Sequence, residues 1–220
     1  MFQKAIHKNK NLPVHVQWMI QGGENEKLDF KKEITSPAKI ARTMVSFANH
    51  KGGTLLIGVN DDKSISGIHT EEEKHMIHEA AERYCKPNLH PDVTEHPLKK
   101  KSVMEVTVAE GNHKPYYARD ESGKWWVYIR SGDQSLLASK VMLEVLKRGA
   151  QEKETLIHYS QDEKNIFNLM EAQGNVTLKQ ICKSLKLPRH KVQVILTNLI
   201  SIGLIKINLN KNEDLFSIAG

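Results

Sequence analysis

The chain has 220 residues, with 32 Lys and Arg set against 26 Asp and Glu for a formal charge of +6. Its hydrophobic share of 39%, together with 13 glycines, is that of a globular protein; long disorder is excluded, and one large domain or two small ones fit the length. Cys85 and Cys182 are the only cysteines, which excludes zinc held by paired cysteines and a disulfide framework. No run of about 18 apolar residues occurs and MFQKAIHKNKN lacks the apolar core of a signal peptide, so a cytoplasmic protein without a membrane partner is expected.

In chain order, Leu12, Val14, Val16, Trp18 and Ile20 nearly alternate with polar residues, which fits a strand or a short helix. Gly22-Gly23-Glu24-Asn25 reads as a turn into a short extended run at Leu28, Phe30 and Lys31. From Pro37 to Asn49, the apolar Ile40, Met44, Val45, Phe47 and Ala48 stand at helical spacing, with Ser36 as N-cap before a proline at the first helical position. Lys51-Gly52-Gly53 breaks the chain, the two glycines supplying positive φ angles. Thr54 to Val59 is too short for a helix and reads as a strand buried on both faces. Asn60-Asp61-Asp62 ends it, and Ile65 to Ile68 starts the return. Strand, helix, strand is the predicted centre of the fold.

Thr70 to Cys85 is a predicted helix with a threonine cap and an acidic first turn, stopped by Pro87. Val93 to His96, Ser102 to Ala109 and Trp125 to Arg130 are β-branched or aromatic and read as strands; Pro115 to Ala118 could be another. Lys99-Lys100-Lys101 reads as a solvated hairpin tip. Ser139 to Lys147 is a helix expected to close the first domain, and residues 149–159 are the predicted linker. Three helices follow, Asp162 to Ala172, Thr177 to Leu185 and Arg189 to Ile202, with a Pro188 turn between the last two. Leu204 to Asn208 and Asp214 to Ile218 then suggest a hairpin. Three helices, a tight turn and a terminal hairpin point to a winged helix-turn-helix. The predicted class is α+β, with domains at 1–148 and 160–220.

Four groups of residues carry candidate chemistry. The polar face of the third helix offers Arg189, His190, Lys191, Gln193 and Asn198; Arg, Gln and Asn are side chains that read base edges. Lys191 and Lys179 could meet phosphates. Glu24, Asp29 and Asp61 could gather at one sheet edge to bind Mg²⁺ or Mn²⁺ and activate water against a phosphodiester, with Lys31 and Lys32 holding the phosphate. Spacing alone favours the plainer account, that these acids are solvated turn formers. Arg130 ends a strand containing Trp125, Trp126 and Tyr128, a basic and aromatic mixture able to stack bases or to fill a sheet core. No phosphate-binding G-x-x-x-x-G-K-[ST] is present, and an ATPase is not supported.

LDFKKEI, SFANHKGGTLLIGVNDD, ISGI and VYIRSGDQSLLAS together resemble the Schlafen AlbA_2 domain of bacterial and archaeal regulators, over roughly Gly22 to Lys140. The resemblance implies an α/β sandwich related to nucleic-acid-binding Alba proteins, followed in bacteria by a winged helix. Animal Schlafens use three carboxylates of this domain in a metal-dependent ribonuclease site, and those positions fall on Glu24, Asp29 and Asp61. Asp29 stands where those enzymes usually have Glu, and their zinc-binding cysteines are missing. A single copy of the domain implies a homodimer if a two-domain groove is to form. The reading is therefore a nucleic-acid-binding protein, DNA favoured over RNA, acting as a transcriptional regulator that needs no cofactor to bind. The alternatives are a Mg²⁺- or Mn²⁺-dependent endoribonuclease on structured RNA and a protein–protein assembly module.

Overall fold

The near-alternating stretch at the start of the chain is a helix, α1 (Val14–Gly22). Leu12, Val16 and Ile20 are buried at a spacing of four, whereas Val14 and Trp18 stay exposed, so the alternation concealed a helical period. The computed structural model describes residues 12–68, 70–149 and 160–219. The chain divides into two compact units, one ending at Ser135 and the other beginning at Leu136.

The predicted strand–helix–strand is β1 (Leu28–Lys31), α2 (Pro37–Ala48) and β2 (Gly53–Ile57). β1 and β2 are parallel, with Leu28 opposite Thr54 and Lys31 opposite Ile57. Then come α3 (Thr70–Arg83), β3 (Cys85–Lys86), β4 (Asp92–Leu98) and β5 (Lys101–Val108). β4 and β5 are an antiparallel hairpin with the predicted lysine tip, and β5 lies against β2 to give the order β1-β2-β5-β4. On one face Leu28, Phe30, Leu56 and Val103 pack with Leu12, Val16 and Ile20. On the other, Leu55, Ile57, Met104 and Val106 pack with Met44 and Phe47 of α2 and Ile77 and Ala80 of α3. Helices on both sides explain why β2 reads as an unbroken apolar run. Each fully buried leucine or isoleucine there contributes about 1.5–3 kcal/mol.

Local detail departs from expectation at three points. Gly52 has a φ of 69°, as the turn requires, but Gly53 is needed for space: a Cβ there would lie 2.4 Å from a Phe47 ring carbon. Ser36 precedes α2 without capping it, its hydroxyl donating instead to Glu121 at 3.1 Å. The strand expected from Trp125 to Arg130 breaks at Val127. Around that break lie β6 (Tyr117–Arg119), β7 (Trp125–Trp126), β8 (Tyr128–Ser131) and β9 (Gln134–Leu137). β7 belongs with β3 and β6 in one small sheet, while β8 pairs with β9 in another. The Asn49 side chain joins the end of α2 to this region. Its amide donates to the carbonyls of Tyr116 at 2.9 Å and Tyr128 at 2.8 Å, and its oxygen accepts from the Tyr116 N–H at 2.7 Å.

The second unit holds α4 (Lys140–Gly149), α5 (Gln161–Gln173), β10 (Val176–Thr177), α6 (Leu178–Leu185), α7 (Arg189–Ser201), β11 (Ile205–Asn208) and β12 (Leu215–Ile218). Capping boxes open α5 (Ser160 with Glu163) and α6 (Thr177 with Gln180), each satisfying two backbone N–H groups that the first turn leaves free. Lys186, at φ 53°, ends α6 in the left-handed region and turns the chain toward α7. The predicted hairpin gains β10 as a third strand, in the order β10-β12-β11. Ile166, Met170, Ile181, Val192, Leu196, Leu199 and Phe216 form the core, and Val141 of α4 joins them. That burial places α4 with the second unit, where the sequence reading had it closing the first. The linker expected over 149–159 falls, beyond Gly149, outside the described residues, as does the side chain of the expected Thr70 cap.

Candidate functional site

Glu24, Asp29 and Asp61 are not brought together. In the parallel register Asp29 lies opposite Leu55, in mid-strand, while Asp61 is exposed in the turn beyond the end of β2. Alternation turns Leu28 and Phe30 toward α1 and Asp29 toward the opposite face, where it is 4% exposed. There one Asp29 oxygen meets the Arg130 guanidinium at 2.9 Å and the other accepts from the Lys31 ammonium. The Glu24 carboxylate accepts from the Phe30 N–H at 2.7 Å, fixing the turn that enters β1. Among the described residues these three acids form no group with ligand atoms within 4.8 Å of one another. Asp29 balances the buried Arg130 and the partly exposed Lys31, and the edge cluster expected from the sequence is absent among the described residues.

Arg130, expected to meet nucleic acid, is 2% exposed. Besides Asp29, its guanidinium donates to the carbonyls of Asn25 and Leu28 at 3.1 Å each and to the Ser135 hydroxyl at 3.4 Å, and it lies 5.0 Å from the centre of the Phe47 ring. A planar fork of donors suits such a site, because a buried cation is tolerated only when paired and hydrogen-bonded. Lys31 spends its ammonium on Asp29 and the Phe30 carbonyl. Lys32 is exposed.

In the second unit, Arg189, His190 and Lys191 are all exposed in the first turn of α7, and Lys179 is exposed on α6. Lys191 pairs with Asp162. Arg189 and Gln193 line a cleft of about 390 Å³ together with Lys140, Lys211, Glu213 and Asp214. Burial raises the Asp214 carboxyl above its ordinary range, against a hydrogen bond from Ser139. Asn198, farther along the helix, accepts from Arg148 of α4. The end of α4 thus meets α7 at Asn198, while Val194, one turn from Asn198, is exposed.

A basic and aromatic surface in the first unit joins Tyr128 of the predicted strand to basic residues that the sequence did not point to. Lys39 and Arg42 of α2, Arg119 of β6 and Tyr128 of β8 line a cleft of about 350 Å³ together with Asp120, Glu121 and Ser122. The Arg42 guanidinium sits 4.9 Å from the centre of the Tyr128 ring and donates to the Ser135 carbonyl at 2.6 Å. Trp125 and Trp126 are 40% and 37% exposed, so neither is core. The Trp126 indole donates to Asp120 at 2.7 Å. Hydrogen bonds from the Ser122 hydroxyl, the Trp126 indole and the Lys124 N–H hold the Asp120 carboxyl down to about 2. The signal was present as Trp125-Trp126, but its exposure depends on the strand break at Val127.

One group among the described residues does converge as metal ligands would: His15, His96 and Glu105, whose ligand atoms all lie within 4.8 Å of one another. Burial alone would raise the Glu105 carboxyl, but hydrogen bonds from His96 and His15 outweigh it and hold the group below its ordinary range.

The family model described as "Schlafen, AlbA_2" matches residues 24–139, which is 116 of the 220 residues. No curated protein matches the chain. Solved structures are similar, among them the following two. One is the crystal structure of the DIP2311 protein from Corynebacterium diphtheriae, 16% identical, with a TM-score of 0.46 over 79% of this chain and 36% of that one. The other is the solution structure of the N-terminal domain of an ATP-dependent DNA helicase RecG-related protein from Nitrosomonas europaea, also 16% identical, with a TM-score of 0.40 over 66% of this chain and 95% of that one. The chain therefore spans about a third of the DIP2311 protein's length.

Proposed function

Because this chain belongs to the Schlafen AlbA_2 family, we propose that it is a nucleic-acid-binding protein, and more narrowly a DNA-binding transcriptional regulator. The second unit is read as a winged helix-turn-helix, with α6 and α7 as the helix pair and the β11–β12 hairpin as the wing. The observation that carries this reading is the exposed run Arg189-His190-Lys191 in the first turn of α7. Recognition helices contact base edges through their N-terminal residues, and those residues of α7 are exposed. Arg189 and Gln193 are the side chains proposed to read bases. Lys179 and Lys191 are proposed to meet phosphates, Lys191 exchanging its Asp162 partner for one. The ribonuclease reading lacks comparable support, since Asp29 is already committed to Arg130 and Lys31.

The test is fluorescence anisotropy of the full chain on duplex DNA and on structured RNA, at several salt concentrations. Binding to DNA that Arg189→Ala weakens by about 1–3 kcal/mol on a preferred sequence supports base reading. A uniform loss on all sequences makes Arg189 a phosphate contact instead. No binding to either nucleic acid overturns the proposal and favours an assembly module.

A further inference from the structure

We propose that His15, His96 and Glu105 form a three-ligand site for a divalent transition-metal ion of the zinc class, tying α1 to the sheet. His15 is the second residue of α1, His96 lies on β4 and Glu105 on β5. β4 and β5 pair with Thr94 opposite Glu105 and His96 opposite Val103. His96 and Glu105 are therefore diagonal neighbours on the sheet face that packs against α1, since Val103 shares a core with Val16 and Ile20. Both imidazoles direct Nε2 at the same carboxylate oxygen, His15 at 3.0 Å and His96 at 2.8 Å. The rings meet edge to face, 5.7 Å between centres and 72° between planes.

The two imidazole nitrogens and the carboxylate oxygen lie within 4.8 Å of one another, near enough for one ion to be held by all three. Zinc binds imidazole nitrogen and carboxylate oxygen at about 2.0–2.2 Å, which sets neighbouring ligand atoms roughly 3–3.5 Å apart, close to the separations found. An ion would replace the Nε2 protons that now hold each ring to Glu105. Two nitrogens and one oxygen select zinc, nickel or cobalt over magnesium and calcium, which take oxygen. The His15 side chain is 59% exposed and that of His96 is 8% exposed. One ligand is thus buried and one is reachable from solvent. The role inferred is a clasp between α1, which precedes the family-matched segment, and the sheet within that segment.

The experiment is isothermal titration calorimetry of Zn²⁺ into the full chain, with His15→Ala and Glu105→Gln as variants and Mg²⁺ as a control. His15 is exposed, so its variant folds, which circular dichroism verifies. The expected result is one tight zinc per chain, weakened about 100-fold or more in both variants, with no heat from Mg²⁺. Zinc at about a hundredfold over its Kd should also raise the Tm of the wild type by roughly 5–10 °C and leave that of His15→Ala unmoved. Absence of tight zinc binding, or binding that both variants retain, overturns the proposal and leaves the cluster a hydrogen-bonded bracket.

Discussion

Asp29 and Arg130 form an ion pair at 2.9 Å with side chains only 6% and 1% exposed, linking the first strand of the sheet to a strand laid down near the end of the same unit. Removing the guanidinium would leave the buried Asp29 charge with Lys31 alone and take one of the donors from each of the Asn25 and Leu28 carbonyls. Arg130→Ala should therefore destabilise the first unit by about 3–5 kcal/mol, read from the midpoint of urea unfolding. A variant as stable as the wild type but unable to bind nucleic acid would return Arg130 to the role its position in the sequence suggested.

Gly53 is held to glycine by the Phe47 ring. A methyl group at 2.4 Å from that ring must push it or the strand aside, so Gly53→Ala should cost about 1–3 kcal/mol by overpacking. Gly22, where a Cβ would meet nothing within 4 Å, serves as the control, and Gly22→Ala should stay within about 0.5 kcal/mol of wild type. Equal effects of the two substitutions would refute the packing account.

Asp120 braces the turn before β7 with its carboxylate held down to about 2 by Ser122, Trp126 and Lys124. A depressed carboxyl contributes stability above its ordinary range, near 4, and loses it as pH falls through the folded value. The Trp126 indole N–H resonance should accordingly shift with a midpoint nearer 2 than 4, and Asp120→Asn should abolish that titration. A midpoint near 4 in the wild type would mean that the indole hydrogen bond does not form in solution.

What was legible in the sequence was whatever is decided locally. The turn from α2 to β2, the start of α6 at Thr177 and the Pro188 break each depend on residues a few positions apart, and the chain adopts them near the predicted places. The family resemblance was carried by the same compact stretch. Arg130 was misjudged because its partners lie more than a hundred residues away, and an arginine at a strand end looks the same whether it faces water or Asp29. The acidic trio failed for a related reason: only strand register shows that Asp29 sits mid-strand while Asp61 lies past the strand end. Around α1, Leu12 ahead of the helix and Val16 and Ile20 within it satisfy periods of two and of four at once, so burial had to choose between them. The His15 cluster had no sequence signal, its three members lying on separate elements.

The bonds of Asn49 bear on how the first unit is made. Its amide and oxygen reach Tyr116 and Tyr128, which are 67 and 79 positions later in the chain. During synthesis, α2 can coil as soon as it leaves the ribosome, but the polar groups of Asn49 find their partners only after Tyr128 has emerged. Until then the end of the helix holds an amide whose burial would cost more than it returns, so a nascent chain halted earlier keeps that corner wet. The corner seals in one late step, and the residue that ends α2 acts as a latch on completion of the whole unit.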